Sequence, residues 1–201
     1  MAPLILASGS GTRARLLREA GVAIEIVPPA VDEEEVKASY RADGAAVEDV
    51  ALALAELKAA AVARRRVAES GTYVLGSDQM LDCDGDWFDK PADRAAARAQ
   101  LLALRGRTHR LVSAAVLLKD GQRIWHHVDE ARLTLRDFSD AFLEGYLERA
   151  GADVLGSVGA YQLEGLGAQL FARVRGDFFT ILGLPLLPVL AILREHGMVP
   201  A

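Results

Sequence analysis

The chain has 201 residues, and its hydrophobic fraction of 51% is enough to bury a substantial core and excludes global disorder. A formal net charge of −5 argues against a general nucleic-acid-binding protein, although a local basic cluster could still bind a nucleotide. The single cysteine, Cys83, excludes an intramolecular disulfide and fits a reducing compartment. Because no apolar run could span a bilayer and no signal-peptide pattern opens the chain, we expect a soluble cytoplasmic protein.

The first segment of the chain carries the pattern of an anion site. An apolar run at 3–7 is followed by small and hydroxyl residues and then by an amphipathic segment with Arg13 and Arg15. This pattern predicts a buried strand at 3–7, a tight turn and a helix at 11–20 that ends at Gly21. Free N–H groups and the dipole at such a helix start favour phosphate, although similar turns are common in α/β proteins that bind other ligands.

The next elements lead to the first acidic candidates. A second strand is predicted at 23–27, and Pro28-Pro29 ends it. The run at 32–35 (Asp32, Glu33, Glu34, Glu35) offers oxygen ligands for a hard cation, but it also fits a solvated first helical turn. The Ala-rich stretch at 46–69 predicts a long helix.

Asp78 is the best catalytic candidate on chemical grounds. A third strand is predicted at 73–77, and it delivers Asp78 at its carboxyl end, where α/β sheets bind ligands. A carboxylate there could hold a divalent cation or accept a proton from water. An aspartate that caps a turn would give the same pattern.

The second half of the chain predicts hairpins and helices. Asp84-Gly85 indicates a small hairpin, and Asp120-Gly121 joins strands predicted at 109–118 and 123–135. Helices are predicted at 93–104, 139–149 and 185–196, the last opening with Pro185. His109 has no cysteine or histidine at metal-ligand spacing, which favours a structural role. Together these elements predict one α/β domain over 1–201, built on a mixed sheet.

Short motifs also follow one another in a recognisable order. They are Ala7–Ser10 with Arg13 and Leu16-Leu17, Val31–Glu33, Lys58, Gly76–Gln79, Lys90-Pro91, Leu104–His109, Gly159–Tyr161, Glu164-Gly165, Gly176 and Gly183–Leu186. In this order and spacing they resemble the Maf family of nucleotide pyrophosphatases over nearly the whole chain.

The resemblance implies an inosine-triphosphatase-like α/β fold, with a mixed twisted sheet, flanking helices, two lobes and a central cleft. It also implies hydrolysis of a nucleoside triphosphate to the monophosphate and pyrophosphate with Mg²⁺ or Mn²⁺, as a means of cleaning the nucleotide pool. By carry-over, Asp78 activates water, and Glu33 and Asp78 lie near the metal. The residues carried over to the phosphates are Ser8, Ser10, Arg13, Lys58 and Lys90. The resemblance further suggests a homodimer, with neither nucleic acid nor membrane as a partner.

Three positions bear on substrate choice. Family members that take dTTP and UTP usually show Arg, Thr and Gln where this chain has Thr12, Gln79 and Glu164. Members that take 7-methyl-GTP show Gln and Glu at the last two, as this chain does. A carboxylate at Glu164 could accept hydrogen bonds from guanine, which favours a methylated or other purine nucleotide. Thr12, which follows Gly11 where the family often has Pro-Arg, fits neither pattern.

Two other functions remain open from the sequence. The segment 9–13 is similar to the Gly-x-Gly-Thr-Arg loop of sugar-nucleotide synthases, which are nucleotidyltransferases. Those enzymes usually follow the loop with a Pro-Lys pair, whereas this chain has a reversed Lys90-Pro91 far away. The other alternative is a non-catalytic nucleotide-binding regulator of cell division, a role long attached to the family.

Overall fold

Seven strands form one mixed sheet in the computed structural model, which describes residues 4–66 and 70–200. They are β1 (Leu4–Ala7), β2 (Ile24–Ile26), β3 (Tyr73–Cys83), β4 (Asp86–Phe88), β5 (Thr108–Lys119), β6 (Gln122–Leu135) and β7 (Phe171–Arg175). The helices are α1 (Gly11–Glu19), α2 (Glu33–Ala42), α3 (Val47–Ala63), α4 (Arg94–Leu104), α5 (Asp140–Ala150), α6 (Phe178–Ile181) and α7 (Leu186–Glu195). The predicted α/β class, with a mixed sheet and flanking helices, is confirmed.

The sheet combines parallel and antiparallel pairs. Its strand order is β2-β1-β3-β5-β6-β7, with β4 paired to β3. Strand β1 lies parallel to both β2 and β3, whereas the β3–β4 and β6–β7 pairs are antiparallel. The two predicted Asp-Gly turns are present, and both residues of each have positive φ, as a type I′ hairpin turn requires.

Most predicted elements are confirmed, with corrections at their ends. Strand β3 does not end at residue 77 but continues to Cys83, because its second half pairs with β4, so Asp78 lies in mid-strand. Pro185 precedes the last helix as its N-cap. Helix α3 ends at Ala63, and Pro3 of the first predicted strand and residues 67–69 of the long predicted helix lie outside the described residues.

Helix α2 is an element that the sequence patterns did not separate. Asp32 is its N-cap and accepts a hydrogen bond from the Glu35 backbone N–H at 3.1 Å. The acidic run therefore begins a helix, where negative charge is favoured by the dipole. The described helices include none long and apolar enough to cross a membrane.

The described residues group into two compact units. The first comprises the residues up to Gln79, with 113–129 and 178–200, and the second comprises 80–112 and 130–177. The core of the first unit is formed by side chains from strands and helices that include Leu6, Leu17, Leu75 and Val189. In the second unit, α4 and α5 contact each other, and both helices carry buried leucines. The cleft that the resemblance implies stays a prediction.

His109 is enclosed within the second unit. Its side chain is 1% exposed, its Nε2 lies 2.6 Å from the Tyr161 hydroxyl, and its ring packs beside Phe171. Its Nδ1 has no hydrogen-bond partner among the described residues. Burial lowers the pKa of this imidazole from 6.5 to about 4, so the folded protein keeps His109 neutral.

This burial makes stability depend on pH. The unfolded chain binds a proton at His109 below pH 6.5, whereas the folded chain resists protonation until about pH 4. We expect the free energy of unfolding to lose about 3 kcal/mol from this residue as pH falls across that window. Urea unfolding of wild type and His109→Phe between pH 4 and 7 measures how steeply the free energy of unfolding of each protein depends on pH. Identical pH dependence in the two proteins would contradict it.

Candidate active site

The turn between β1 and α1 brings two serine hydroxyls and Arg13 into hydrogen-bond contact. Ser10 is the N-cap of α1, and its Oγ accepts from the Arg13 backbone N–H at 3.4 Å. The buried Ser8 Oγ accepts from the Ser10 backbone N–H and from Arg13 Nη1, both at 3.2 Å. A Cβ added at Gly9 or Gly11 would meet no atom within 4 Å, so the fold itself does not require these glycines.

Arg13 also connects this turn to the segment before α7. Its Nε donates to the Gly183 carbonyl at 2.7 Å, and Ser77 Oγ donates to the same oxygen at 3.1 Å. Two of the five N–H groups of the guanidinium are used in this way within the described part of the chain, which leaves others for a ligand. Burial lowers the pKa of Arg13, while the carboxylates of Asp78 and Glu33 act in the opposite direction.

Gly76 determines how closely β3 and α3 approach. A Cβ built on Gly76 would lie 2.1 Å from the Ala55 carbonyl oxygen and 2.8 Å from the Ala59 Cβ. Residues 55, 58 and 59 occupy one face of α3 because of the helical repeat. The contact at Gly76 therefore brings Lys58 against the β3 residue two positions further along, Asp78.

Substitution of Gly76 should separate these two elements. We expect Gly76→Ala to lower the free energy of unfolding by about 1–3 kcal/mol, because the backbone oxygen of Ala55 cannot move as a side chain can. Chemical denaturation measures the loss. The matched control is Gly145→Ala in α5, where an added Cβ meets nothing and stability should hold or rise. Equal stability of Gly76→Ala and wild type would rule out this packing.

Lys58 lies between two carboxylates. Its Nζ is 2.5 Å from Asp78 Oδ1 and 2.7 Å from Glu33 Oε1. The side chains of Lys58 and Asp78 are 8% and 6% exposed, whereas that of Glu33 is 41% exposed. A buried ammonium and a buried carboxylate so arranged compensate each other's loss of hydration, and Glu33 completes the group from the start of α2.

Asp78 has one oxygen engaged and one without a partner. Oδ1 accepts from Lys58, whereas Oδ2 is buried and has no hydrogen-bond partner among the described residues. Burial raises the pKa of the Asp78 carboxyl, while Lys58 and Arg13 limit that rise. An ionised carboxylate with a raised pKa and a free oxygen is suited to accept a proton.

The carboxylates here are few for a complete metal site. No group of three or more potential ligands occurs among the described residues. Mg²⁺, however, is often held by one or two carboxylates together with substrate phosphates and water. The carboxylates of Glu33 and Asp78, which both contact Lys58, fit that mode of binding.

The structure brings five of the predicted site residues together in the first unit, namely Ser8, Arg13, Glu33, Lys58 and Asp78. Ser10 and Thr12 belong to the same turn and helix, and Thr12 is half-buried. Lys90 and Glu164 belong to the second unit and are exposed, so their assignment to the site stays a prediction.

Ser77 and Gly183 are site residues that sequence reasoning did not single out. The Gly183 carbonyl accepts from Arg13 Nε, and Ser77 Oγ donates to that same carbonyl oxygen. The signal for Gly183 was its place in the last family-like motif, and its φ of +96° favours glycine. Ser77 carried no separate signal beyond its position beside Asp78.

The chain is similar to known proteins over nearly its whole length. The model of the family described as Maf-like protein matches residues 3–196. A protein of Paramagnetospirillum magneticum named nucleoside triphosphate pyrophosphatase is 60% identical over 96% of this chain and 98% of its own length. A protein of the same name from Rhodospirillum rubrum is 53% identical over 98% of this chain and 96% of its own length. A Mesorhizobium japonicum protein named 7-methyl-GTP pyrophosphatase is 51% identical over 98% of this chain and 97% of its own length.

Proposed function

Because the chain belongs to the Maf-like protein family, we propose that it hydrolyses a nucleoside triphosphate to the monophosphate and pyrophosphate, with Asp78 as the general base. The observation that carries the mechanism is the asymmetry of the Asp78 carboxylate. Lys58 holds Oδ1, which fixes the orientation of the group, and leaves Oδ2 able to accept a proton.

The reaction balances with water alone as the second reactant. The water oxygen forms a bond to a phosphorus of the α–β anhydride while its proton passes to Asp78 Oδ2. The P–O bond on the far side of that phosphorus breaks, and the bridging oxygen leaves with the other product. Attack at either phosphorus of the bridge gives the same two products, and no covalent enzyme intermediate is required.

The turn between β1 and α1 would bind the phosphate chain. Its helix N-terminus, Ser8, Ser10 and the spare N–H groups of Arg13 are suited to phosphate oxygens. The open space above Gly9 and Gly11 permits the backbone to approach a ligand closely. By family resemblance, Lys58 and Lys90 add positive charge at the phosphates.

We propose that a divalent cation, Mg²⁺ or Mn²⁺, is held at Glu33 and Asp78. The two carboxylates lie on either side of the Lys58 ammonium. Because Asp78 Oδ2 is the proposed proton acceptor, the half-exposed Glu33 carboxylate would bind the cation directly and Asp78 would lie beside it. When bound with substrate, the cation would neutralise charge on the phosphates.

For substrate, we propose a purine nucleotide, with 7-methyl-GTP as the leading candidate. The family pattern at Gln79 and Glu164 supports this choice, as does the relative named 7-methyl-GTP pyrophosphatase. The test compares kcat/KM for 7-methyl-GTP, GTP, dTTP and UTP. Higher values for the guanine nucleotides support the proposal, and much faster hydrolysis of dTTP and UTP would refute it.

The proposal also covers the cellular location of the enzyme and its oligomeric state. We place it in the cytoplasm, acting on free nucleotides, and expect a homodimer from the family resemblance. The formal net charge of −5 supports a small nucleotide substrate in preference to nucleic acid.

Incubation with a single nucleoside triphosphate and Mg²⁺ or Mn²⁺ tests the proposed reaction. A pyrophosphatase releases pyrophosphate with no second substrate, and EDTA should stop the release if a cation is required. A nucleotidyltransferase would release it only after a sugar phosphate is added. A non-catalytic regulator would bind the nucleotide and leave it intact.

A further inference from the structure

The side-chain amide of Gln79 is held on its nitrogen side by three oxygens. Nε2 lies 3.1 Å from Ser113 Oγ, 3.0 Å from the Thr180 carbonyl oxygen and 3.0 Å from the Ile181 carbonyl oxygen. All four residues belong to the first unit. We call these three acceptors the amide shell.

The chemistry of the amide shell allows one orientation of Gln79. Backbone carbonyls accept hydrogen bonds and cannot donate them. Ser113 has a single hydroxyl proton, and Ser113 Oγ donates to the Thr180 carbonyl at 2.8 Å. With the amide reversed, Oε1 would face three oxygens and no donor, so Nε2 must point into the shell and Oε1 away from it.

The amide shell is rigid. Ser113 and Thr180 are fully buried, and the Thr180 hydroxyl donates to Asp129 Oδ2 at 2.7 Å. The Gly183 backbone N–H donates to the Thr180 carbonyl at 3.0 Å, which ties the shell to the residue whose carbonyl holds Arg13. The orientation of Gln79 and the position of Arg13 therefore depend on one short segment, 180–183.

The free oxygen of Gln79 borders the space next to Arg13. A Cβ built on Gly183 would lie 3.6 Å from Gln79 Oε1 and 3.5 Å from both Arg13 Nε and Nη2. Oε1 and the guanidinium thus both border the same small space, which the absence of a side chain at Gly183 leaves open. The hydrogen bonds of the Gln79 side chain to described residues all involve Nε2, so Oε1 is available to a ligand.

The family pattern already implies that Gln79 bears on substrate choice. We propose that Ser113 is a positioning residue, which fixes the Gln79 amide so that its carbonyl oxygen faces a hydrogen-bond donor on the nucleotide. The inference rests on the proposed function, in which Arg13 binds the phosphates and brings the nucleotide to this space. The donor is an O–H or N–H group, and it comes either from a sugar hydroxyl or from the base edge. A nucleotide that offers only an acceptor there is disfavoured, because two acceptors would face each other.

The experiment measures kcat/KM ratios for pairs of nucleotides that differ by one donor. The sugar arm compares GTP with 2′-deoxy-GTP and 3′-deoxy-GTP, and the base arm compares GTP with 1-methyl-GTP and inosine triphosphate. In the wild type, we expect one arm to show a preference of about tenfold for the donor. Gln79→Met should bring that ratio close to one, and Ser113→Ala should reduce it. The arm that responds identifies the source of the donor.

Ser139→Ala is the matched structural control. It removes the N-cap of α5, which lies in the other unit, and so lowers stability without affecting the amide shell. Its substrate ratios should equal those of the wild type, which separates positioning from loss of stability. If the wild type hydrolyses these nucleotides but Gln79→Met leaves the kcat/KM ratios unchanged in both arms, this inference is overturned and the proposed function stands. Absence of hydrolysis by the wild type overturns the proposed function and this inference with it.

Discussion

Asp78→Asn is expected to lower kcat by about 10²–10⁴-fold, the range that general-base catalysis contributes. Asparagine keeps the volume of the side chain but cannot accept the proton of the attacking water at neutral pH. Its carbonyl oxygen can still accept from Lys58, so the surroundings of the residue should remain close to those of the wild type. Steady-state kinetics measures kcat, and calorimetric titration with the same nucleotide measures binding, which should persist.

The matched control for this variant is Asp82→Asn, on the same strand. Asp82 is also buried, but it pairs with Arg110 in the second unit, so its loss should lower stability and leave kcat near the wild-type value. Turnover of Asp78→Asn equal to that of the wild type would remove Asp78 from the mechanism. A loss of nucleotide binding equal to the loss of kcat would assign it to binding.

Lys58→Met is expected to have the largest effect on stability. Removal of the ammonium leaves the buried Asp78 carboxylate without its nearest compensating charge, and breaking a buried pair in this way costs about 3–5 kcal/mol. Lys58 also lowers the pKa of Asp78, so in the variant this pKa should rise further. The acidic limb of the kcat/KM profile should then move to higher pH.

The sign of the pH effect on stability follows from the same shift. A carboxyl whose pKa is higher in the folded state takes up a proton on folding, so the stability lost in Lys58→Met should be partly regained as pH falls through the raised pKa. Denaturation between pH 4 and 8 measures this change. The control is Lys119→Met, an exposed lysine of β5, which should show neither effect. A Lys58→Met variant as stable as Lys119→Met at pH 8 would contradict the buried pair.

The local features of the site follow from local sequence patterns. The strand, turn and helix at the start of the chain are predicted by an apolar run, small residues and Ser10, and all of these act within a few residues of one another. The strand before Asp78 was predicted correctly, but its end at residue 77 was wrong. The place of Asp78 in mid-strand was not predicted, because pairing of residues 81–83 with β4 extends the strand beyond it.

Contacts between distant parts of the chain lay beyond the sequence patterns. The Lys58–Asp78 pair depends on the approach of α3 to Gly76, and a glycine inside a strand was the one local sign of such an approach. The amide shell of Gln79 had no comparable sign. Two of its acceptors are backbone carbonyls about a hundred residues away, and any residue type supplies a backbone carbonyl.

The most direct test of the central claim is a single turnover in H₂¹⁸O with enzyme in excess over one nucleoside triphosphate. Direct attack by water that Asp78 activates predicts equal amounts of monophosphate and pyrophosphate, with one ¹⁸O atom in one of them from the first turnover. Mass spectrometry of the products reads the label. Unlabelled products of the first turnover would indicate transfer through an enzyme carboxylate, and release of orthophosphate with a nucleoside diphosphate would indicate a different bond. Either result would contradict the account.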